Sequence, residues 1–315
     1  MSSVFHYTDT AGLLGIVSSE TLHATDYRYL NDSTEAGMIR KYIMPIFEAE
    51  IATVAEKLFS AGLLDDHYYK EMGSRGSQIE AENQYRAFVR GVDNVSPFFV
   101  VSFCRHEDTK YEYQHGLLSQ WRGYADSGGF AIEFDEKRLD EFAVNEQRRF
   151  AYAGFKSDDV EYFDHGKVFN AKDYEGVAGS MIWSIFDSVG KDISRITGRK
   201  NLDKVVLEFA KTAPFLKHES FHEEGEYRLV FVCIRKRKVP EEETRQTKSI
   251  CFRQRSGLVV PFIELFEQEN VLTAVRSIIV GPHPLQDKQE EAVNMLLEKE
   301  GLNVPVRKSE IPFRR

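Results

Sequence analysis

The sequence predicts an α+β fold: a mixed, mostly antiparallel sheet core carrying helical insertions. Strand-like and helix-like patterns are interleaved along the 315 residues without a regular βαβ rhythm. No stretch rich in Pro, Gly and Ser divides the chain, so residues 1–315 are expected to form a single domain. Two helical blocks, about 34–92 and 170–213, read as insertions around one sheet. There is no internal repeat and no low-complexity segment.

The elements follow in order. Val4-Phe5-His6-Tyr7 reads as a short strand, and Thr8 or Asp9 can cap a helix with Leu13, Leu14, Ile16 and Val17 as apolar positions. Thr21 to Thr25 alternates as a strand. Asp32 and Glu35 have capping-box spacing, opening a long helix from about Thr34 to Ser60. Its apolar stripe is Ile39, Ile43, Ile46, Phe47, Ile51, Val54 and Leu58. A second helix is expected over about Gln78 to Gly91. Pro97 to Cys104 reads as a buried strand, Leu117 to Ala125 as a short helix, and Phe130 to Phe134 as an alternating strand. Asp135 caps another short helix, and a strand follows near Arg149 to Phe155. Further strands are expected at Tyr227–Ile234, Lys248–Phe252, Leu258–Ile263 and Ser277–Val280. Residues 286–300 have helical periodicity with Ala292, Val293, Leu296 and Leu297 inward. Val304-Pro305-Val306 reads as an edge strand, because proline lacks a ladder donor.

Composition narrows the function. Hydrophobic residues make up 42% and charged residues 29%, an ordinary globular balance; 23 Phe and 14 Tyr imply an aromatic-rich core. No apolar run approaches the ~18–20 residues that span a bilayer, so no membrane partner is expected. The first residues lack a basic and then apolar leader, and Cys104, Cys233 and Cys251 lie far apart in apolar runs. A cytoplasmic protein with small buried cysteines is the expectation. The net charge of −9 argues against a broad nucleic-acid surface but leaves room for a local basic groove.

Several chemistries find no motif. There is no G-x-x-x-x-G-K-[ST], no G-x-G-x-x-G between strand and helix, and no G-x-S-x-G elbow. His218 and His222 are four apart, but the strand expected near Glu226 leaves little room for a helix to hold a metal on them. No metal is expected.

The most informative stretch is Glu223-Glu224-Gly225-Glu226-Tyr227-Arg228-Leu229-Val230-Phe231-Val232, acids at the mouth of a strand. Glu226 and Arg228 share one face of that strand and can pair or line a polar pocket. Set against this, Lys217, Glu219, Glu223, Glu224, Glu226 and Arg228 together read as a solvated edge of weak ion pairs. His6 can satisfy a backbone group or donate to a ligand ribose hydroxyl. Trp121 and Tyr124, three apart on a helix, fit either the core or a stacking platform beside the Gly128-Gly129 break. Asn31-Asp32 reads as a turn and cap, and Arg28 as a solvated cation or an anion contact.

Phe5-His6-Tyr7-Thr8, Glu20-Thr21-Leu22, Leu30-Asn31-Asp32, Trp121-x-x-Tyr124-Ala125-Asp126, Gly129 to Phe134, Glu226 to Leu229, Ile279 to Pro282 and Ser309 to Arg314, in that order, resemble the bacterial family called domain of unknown function 2971. More distantly, the opening His-Tyr-Thr strand, short helix and following strand are similar to the ADP-ribosyltransferase superfamily. That resemblance implies a split sheet and NAD as substrate. It implies His6 at the adenosine ribose, Tyr124 or Trp121 stacked on nicotinamide, and Glu226, oriented by Arg228, at the nicotinamide ribose, with Tyr7, Thr8, Asn31 and Arg228 also counted among the NAD-binding residues. A nucleic-acid or protein acceptor and a toxin or phage-defence role would follow from the same resemblance. A fixed carboxylate stabilises an oxocarbenium-like state more than the ground state. Two alternatives stand beside it. One is a non-catalytic module that binds a nucleotide or nucleic acid through Arg28, Arg122 and Arg228. The other is a metal-dependent nuclease using Asp32, Glu133 and Glu226.

Overall fold

The fold is that of a computed structural model, which describes residues 2–30, 34–71, 76, 78–83, 85–86, 97–106, 111–124, 128–163, 213–234, 243–255 and 257–312. The expected 170–213 block, the Asn31-Asp32 turn and Ala125-Asp126 fall outside these, apart from Ala213.

Thirteen described strands can be numbered in chain order. They are β1 (Ser3–Thr8), β2 (Leu22–Asp26), β3 (Phe98–Cys104), β4 (Phe130–Asp135), β5 (Phe150–Asp159), β6 (Glu161–Phe163), β7 (Leu216–His218), β8 (Glu226–Cys233), β9 (Gln246–Thr247), β10 (Cys251–Arg255), β11 (Leu258–Leu265), β12 (Val275–Val280) and β13 (Val306–Lys308). Eleven of them form one sheet in the order β10-β11-β2-β3-β1-β4-β12-β13, with β8, β5 and β9 branching from β3. All but three of the pairings are antiparallel; β12–β13, β5–β9 and β6–β7 are parallel. The α+β expectation is met.

The sheet splits at β3. One edge of β3 pairs with β8 along its whole length, from Phe98↔Val232 to Cys104↔Glu226. The other edge is shared: β2 pairs at Thr25↔Val100 and Asp26↔Phe99, and β1 only at Phe5↔Cys104. A notch therefore opens where β1 and β2 part.

Alternation along the strands sends side chains to two different layers. Val4, Phe103, Ile132, Phe134, Tyr227, Leu229 and Ile263 belong to the larger core, which also holds Leu13 and Val17 of the Thr10–Ser19 helix, Leu139 and Phe142 of the Glu136–Arg149 helix, and Val293 and Leu297 of the Gln286–Lys299 helix. Phe5, Tyr7, Cys104, Trp121, Ala131 and Ile279 form a smaller core on the opposite side. Each large side chain so buried contributes about 1.5–3 kcal/mol before entropy is set against it.

Local signals act as read. Asp9 caps the first helix by accepting from Gly12 N, and Asp135 caps the next one from Arg138 N. The long helix runs Thr34–Ser60 and buries Phe47, Ile51, Val54 and Leu58, despite Pro45 within it. Residues 78–83 are helical as expected, while 87–91 of that expected helix lie outside the described residues. Several details depart from expectation, among them the strand expected at Lys248–Phe252, which runs Cys251–Arg255. The helix after Asp135 is not short, because Leu139, Phe142, Ala143 and Glu146 keep a buried face for 14 residues. Ala292 is exposed, since Val293 and Leu297, four apart, already define the buried face. Pro305 precedes the edge strand β13, lending only its carbonyl to Ile278 N. A 3₁₀ helix, Glu219–Glu224, occupies the space between His218 and Glu226 where no helix was expected. No described helix is long and apolar enough to cross a membrane.

Candidate functional site

β8 carries the main cluster. Its register against β3 places Glu226 beside Cys104 and Arg228 beside Ser102, on the side of the smaller core. The expected pairing of Glu226 with Arg228 is present: Arg228 Nε donates to Glu226 Oε2 at 2.6 Å, and Arg228 Nη1 donates to the Pro214 carbonyl at 2.6 Å. Lys217, from β7, donates to Glu226 Oε1 at 2.5 Å and to Glu224 Oε2 at 2.6 Å. The Glu226 backbone N–H donates to the Tyr162 hydroxyl oxygen. Gly225, at φ +49, makes the left-handed turn between the 3₁₀ helix and β8, and so brings Glu224 back alongside Glu226.

The charge run is therefore not a solvated edge at its centre. Lys217, Glu226 and Arg228 are at most 4% exposed, while Glu219 and Glu223 do face solvent. Sequence reading underweighted Lys217 because nothing local shows that β7 will fold back over β8. Two cations and two carboxylates balance, as a buried set must.

The two carboxylates differ. Burial pushes Glu226 up, but Arg228 and Lys217 more than offset it and hold it well below the usual range. Glu224 is pushed up to about 7, by burial and then by the Glu226 carboxylate beside it, against the pull of Lys217. Tyr124, half-buried, feels the same cluster: burial and Glu226 raise its phenol to about 12.

The other sequence candidates are dispersed. His6 follows Phe5 on β1, so alternation turns it away from the layer that holds Cys104 and Glu226. The two proposed companions do not share a face. His6 Nδ1 donates to the Ser102 carbonyl at 3.0 Å, so the neutral ring offers Nε2 as an acceptor, not the donor expected toward a ribose hydroxyl. Burial lowers its basicity, which favours that neutral form. Tyr7 is core: its oxygen accepts from Leu117 N at 2.7 Å and lies 3.0 Å from His106 Nε2. Thr8 stands over the first helix, where its Oγ1 would be 1.8 Å from any Cβ at Gly12. Trp121 is wholly buried, donates through Nε1 to the His115 carbonyl, and meets the Tyr7 ring edge-on, so no face is left for a ligand. Asn31 lies outside the described residues. Arg28 is held by Asp26 at 2.9 and 2.7 Å, and Arg122 is exposed.

The metal reading loses its geometry. Phe5 pairs with both Cys104 and Glu133, so Glu226, Cys104, Phe5 and Glu133 form a row across β8, β3, β1 and β4. Three strand spacings, about 14 Å, separate Glu133 from Glu226, too far for one ion. Glu133 is instead taken by Tyr113, Ser277 and Arg307. Among the described residues no three His, Cys, Asp or Glu side chains converge on a metal position.

A second polar group borders the notch between β1 and β2. Arg253 of β10 donates to Thr25 Oγ1 at 2.7 Å and to His23 Nδ1 at 3.2 Å. Neither Arg253 nor His23 was singled out in the sequence, where both sit within ordinary strand patterns.

Residues 120–229 match a family described as protein of unknown function (DUF2971). The matched segment runs from the helix bearing Tyr124 through β4 and β5 to Leu229, and so contains Lys217, Glu224, Glu226 and Arg228. No curated protein matches the chain, and no solved structure does.

Proposed function

We propose that this protein cleaves the glycosidic bond to nicotinamide in NAD, as an NAD-dependent ADP-ribosyltransferase or NAD-cleaving enzyme. One observation carries the reading: at the mouth of β8, Glu224 and Glu226 share the Lys217 ammonium at 2.6 and 2.5 Å, and Glu226 is also bonded by Arg228 at 2.6 Å, which pushes the protonation ranges of the two carboxylates apart. Pairs of titratable groups pushed apart in this way suit acid–base chemistry near neutral pH. Nicotinamide leaves with the bonding electron pair, which neutralises its pyridinium ring, so departure needs no acid. The positive charge left on the ribose is what the Glu226 carboxylate stabilises, kept ionised by Arg228 and Lys217. The incoming hydroxyl, from water or from a nucleic-acid or protein acceptor, bonds to the ribose carbon and gives its proton to Glu224. A carboxylate that titrates near 7 suits that role of general base. His6 takes no part at the reacting carbon. Its ring faces the other side of the sheet, so a dinucleotide held at Glu226 would have to pass the notch beside β1 for Nε2 to accept from the remote ribose.

Purified protein incubated with NAD should release nicotinamide, followed by chromatography, and Glu226→Gln should lower the rate by on the order of 10²–10³. Full turnover by Glu226→Gln, or no release from the wild-type protein with any acceptor, removes the reading.

The completeness of the Glu226 network favours a second one. Both carboxylate oxygens are bonded by buried cations. A binding module that uses the cluster as a rigid floor would bind a nucleotide or nucleic acid saturably and form no product.

A further inference from the structure

We propose that Arg253, with His23 and Thr25, forms a phosphate-binding subsite beside the notch between β1 and β2, for the phosphate or pyrophosphate group of a small molecule. The inference does not depend on chemistry at Glu226.

Arg253 is a half-buried guanidinium with no carboxylate partner among the described residues. Its Nε is shut off from solvent and bonded to nothing. A buried donor without a partner is rare, and a charged one is costly, so its retention asks for a reason. The buried cations among the described residues are compensated: Arg228 and Lys217 by Glu226 and Glu224, Lys248 by Glu146 and Glu267. Arg253 has only the Phe262 ring, 5.4 Å from its central carbon, and the distant pull of Asp9, whose carboxylate is engaged with Gly12 N.

The surroundings supply donors. A guanidinium only donates, so the Arg253 contact fixes His23 Nδ1 as an acceptor and leaves the proton on Nε2. That Nε2 lies 3.9 Å from Glu264, outside hydrogen-bonding range, and remains free to donate. Burial, then Arg253 and His6, lower His23 to about 4, so the ring is neutral at ordinary pH and adds a donor without a second charge. Thr25, almost fully buried, fixes the other side of the guanidinium. A planar guanidinium held on two side chains keeps one further N–H on each terminal nitrogen, and that fork matches the oxygen spacing of a phosphate.

The test is calorimetric titration of the full chain with inorganic pyrophosphate, ADP and adenosine, and with ADP in competition with pyrophosphate. Pyrophosphate and ADP should bind and compete, and adenosine should not. Arg253→Met should weaken both ligands at least about tenfold and leave the melting temperature unchanged or raised, since it removes an uncompensated charge. Arg253→Lys keeps the charge but not the fork and should fall between. Glu226→Gln should bind pyrophosphate like the wild type, which separates this subsite from the catalytic reading. The proposal is overturned if neither anion binds at millimolar concentration, if adenosine binds as tightly as ADP, or if Arg253→Lys binds both anions undiminished.

Discussion

Glu224 and Glu226 are held against each other by one ammonium group: Lys217 Nζ lies 2.6 Å from the first and 2.5 Å from the second. Removing that group strands two facing carboxylates in a site with little water. Lys217→Met should therefore cost about 3–5 kcal/mol in denaturant unfolding near pH 8, the usual loss when one partner of a buried pair is deleted. Adding Glu224→Gln should recover part of it by removing the repulsion. A single variant within about 0.5 kcal/mol of wild type would show the cluster to be wetter than its geometry implies.

Trp121 should act on stability and not on ligand. Its ring lies against Gly116, where an added Cβ would come within 2.6 Å, and against Gly281, where it would come within 2.9 Å. Trp121→Ala opens a large cavity and should cost about 3–5 kcal/mol. The milder Trp121→Phe should lower the melting temperature yet leave nicotinamide release per folded molecule unchanged. A selective loss of NAD affinity with unchanged stability would return Trp121 to the ligand.

The strands and the first caps were legible because they rest on local rules. Asp9 and Asp135 sit where a helix needs an acceptor, and Phe98 to Cys104 has the apolar run of a strand covered on both faces. Glu226 and Arg228 could be paired from period-two alternation alone. The same rule separates His6 from Glu226, but only once the Phe5↔Cys104↔Glu226 register is known, and register is a non-local property. Arg253 was missed for the same reason, because it becomes significant through β2, distant in sequence. Lys217 stands in the charge run, but only the fold of β7 back onto Glu226 shows that its ammonium group is buried.

The thiols provide a check on burial. Burial raises Cys104, with Glu226 adding to it, and burial raises Cys233 to about 12. Cys251, expected to be buried like the others, is half-exposed on β10. A thiol reagent at neutral pH should label Cys251 in the native protein and reach Cys104 and Cys233 only in denaturant. Rapid native labelling at Cys104 would mean that the layer over Glu226 opens readily.

Acidity should act on the fold and on turnover with opposite signs. The Glu224 carboxyl titrates near 7 in the folded chain against an ordinary value of 4.5, so between those limits the folded state binds more protons. Stability should therefore fall as pH rises from about 4.5 to about 7. Glu226 is depressed, so its contribution is full above its ordinary range and lost only in stronger acid, outside that window. Unfolding free energies at about pH 5 and pH 8 should differ in the wild type, and the part of that difference due to Glu224 should vanish in Glu224→Gln. Turnover should run the other way: nicotinamide transfer should rise through about pH 7 as Glu224 loses its proton and becomes able to accept one, and Glu224→Gln should lose that limb. A rate profile with the same limb in both proteins would assign the titration to another group and leave Glu224 with a structural role alone.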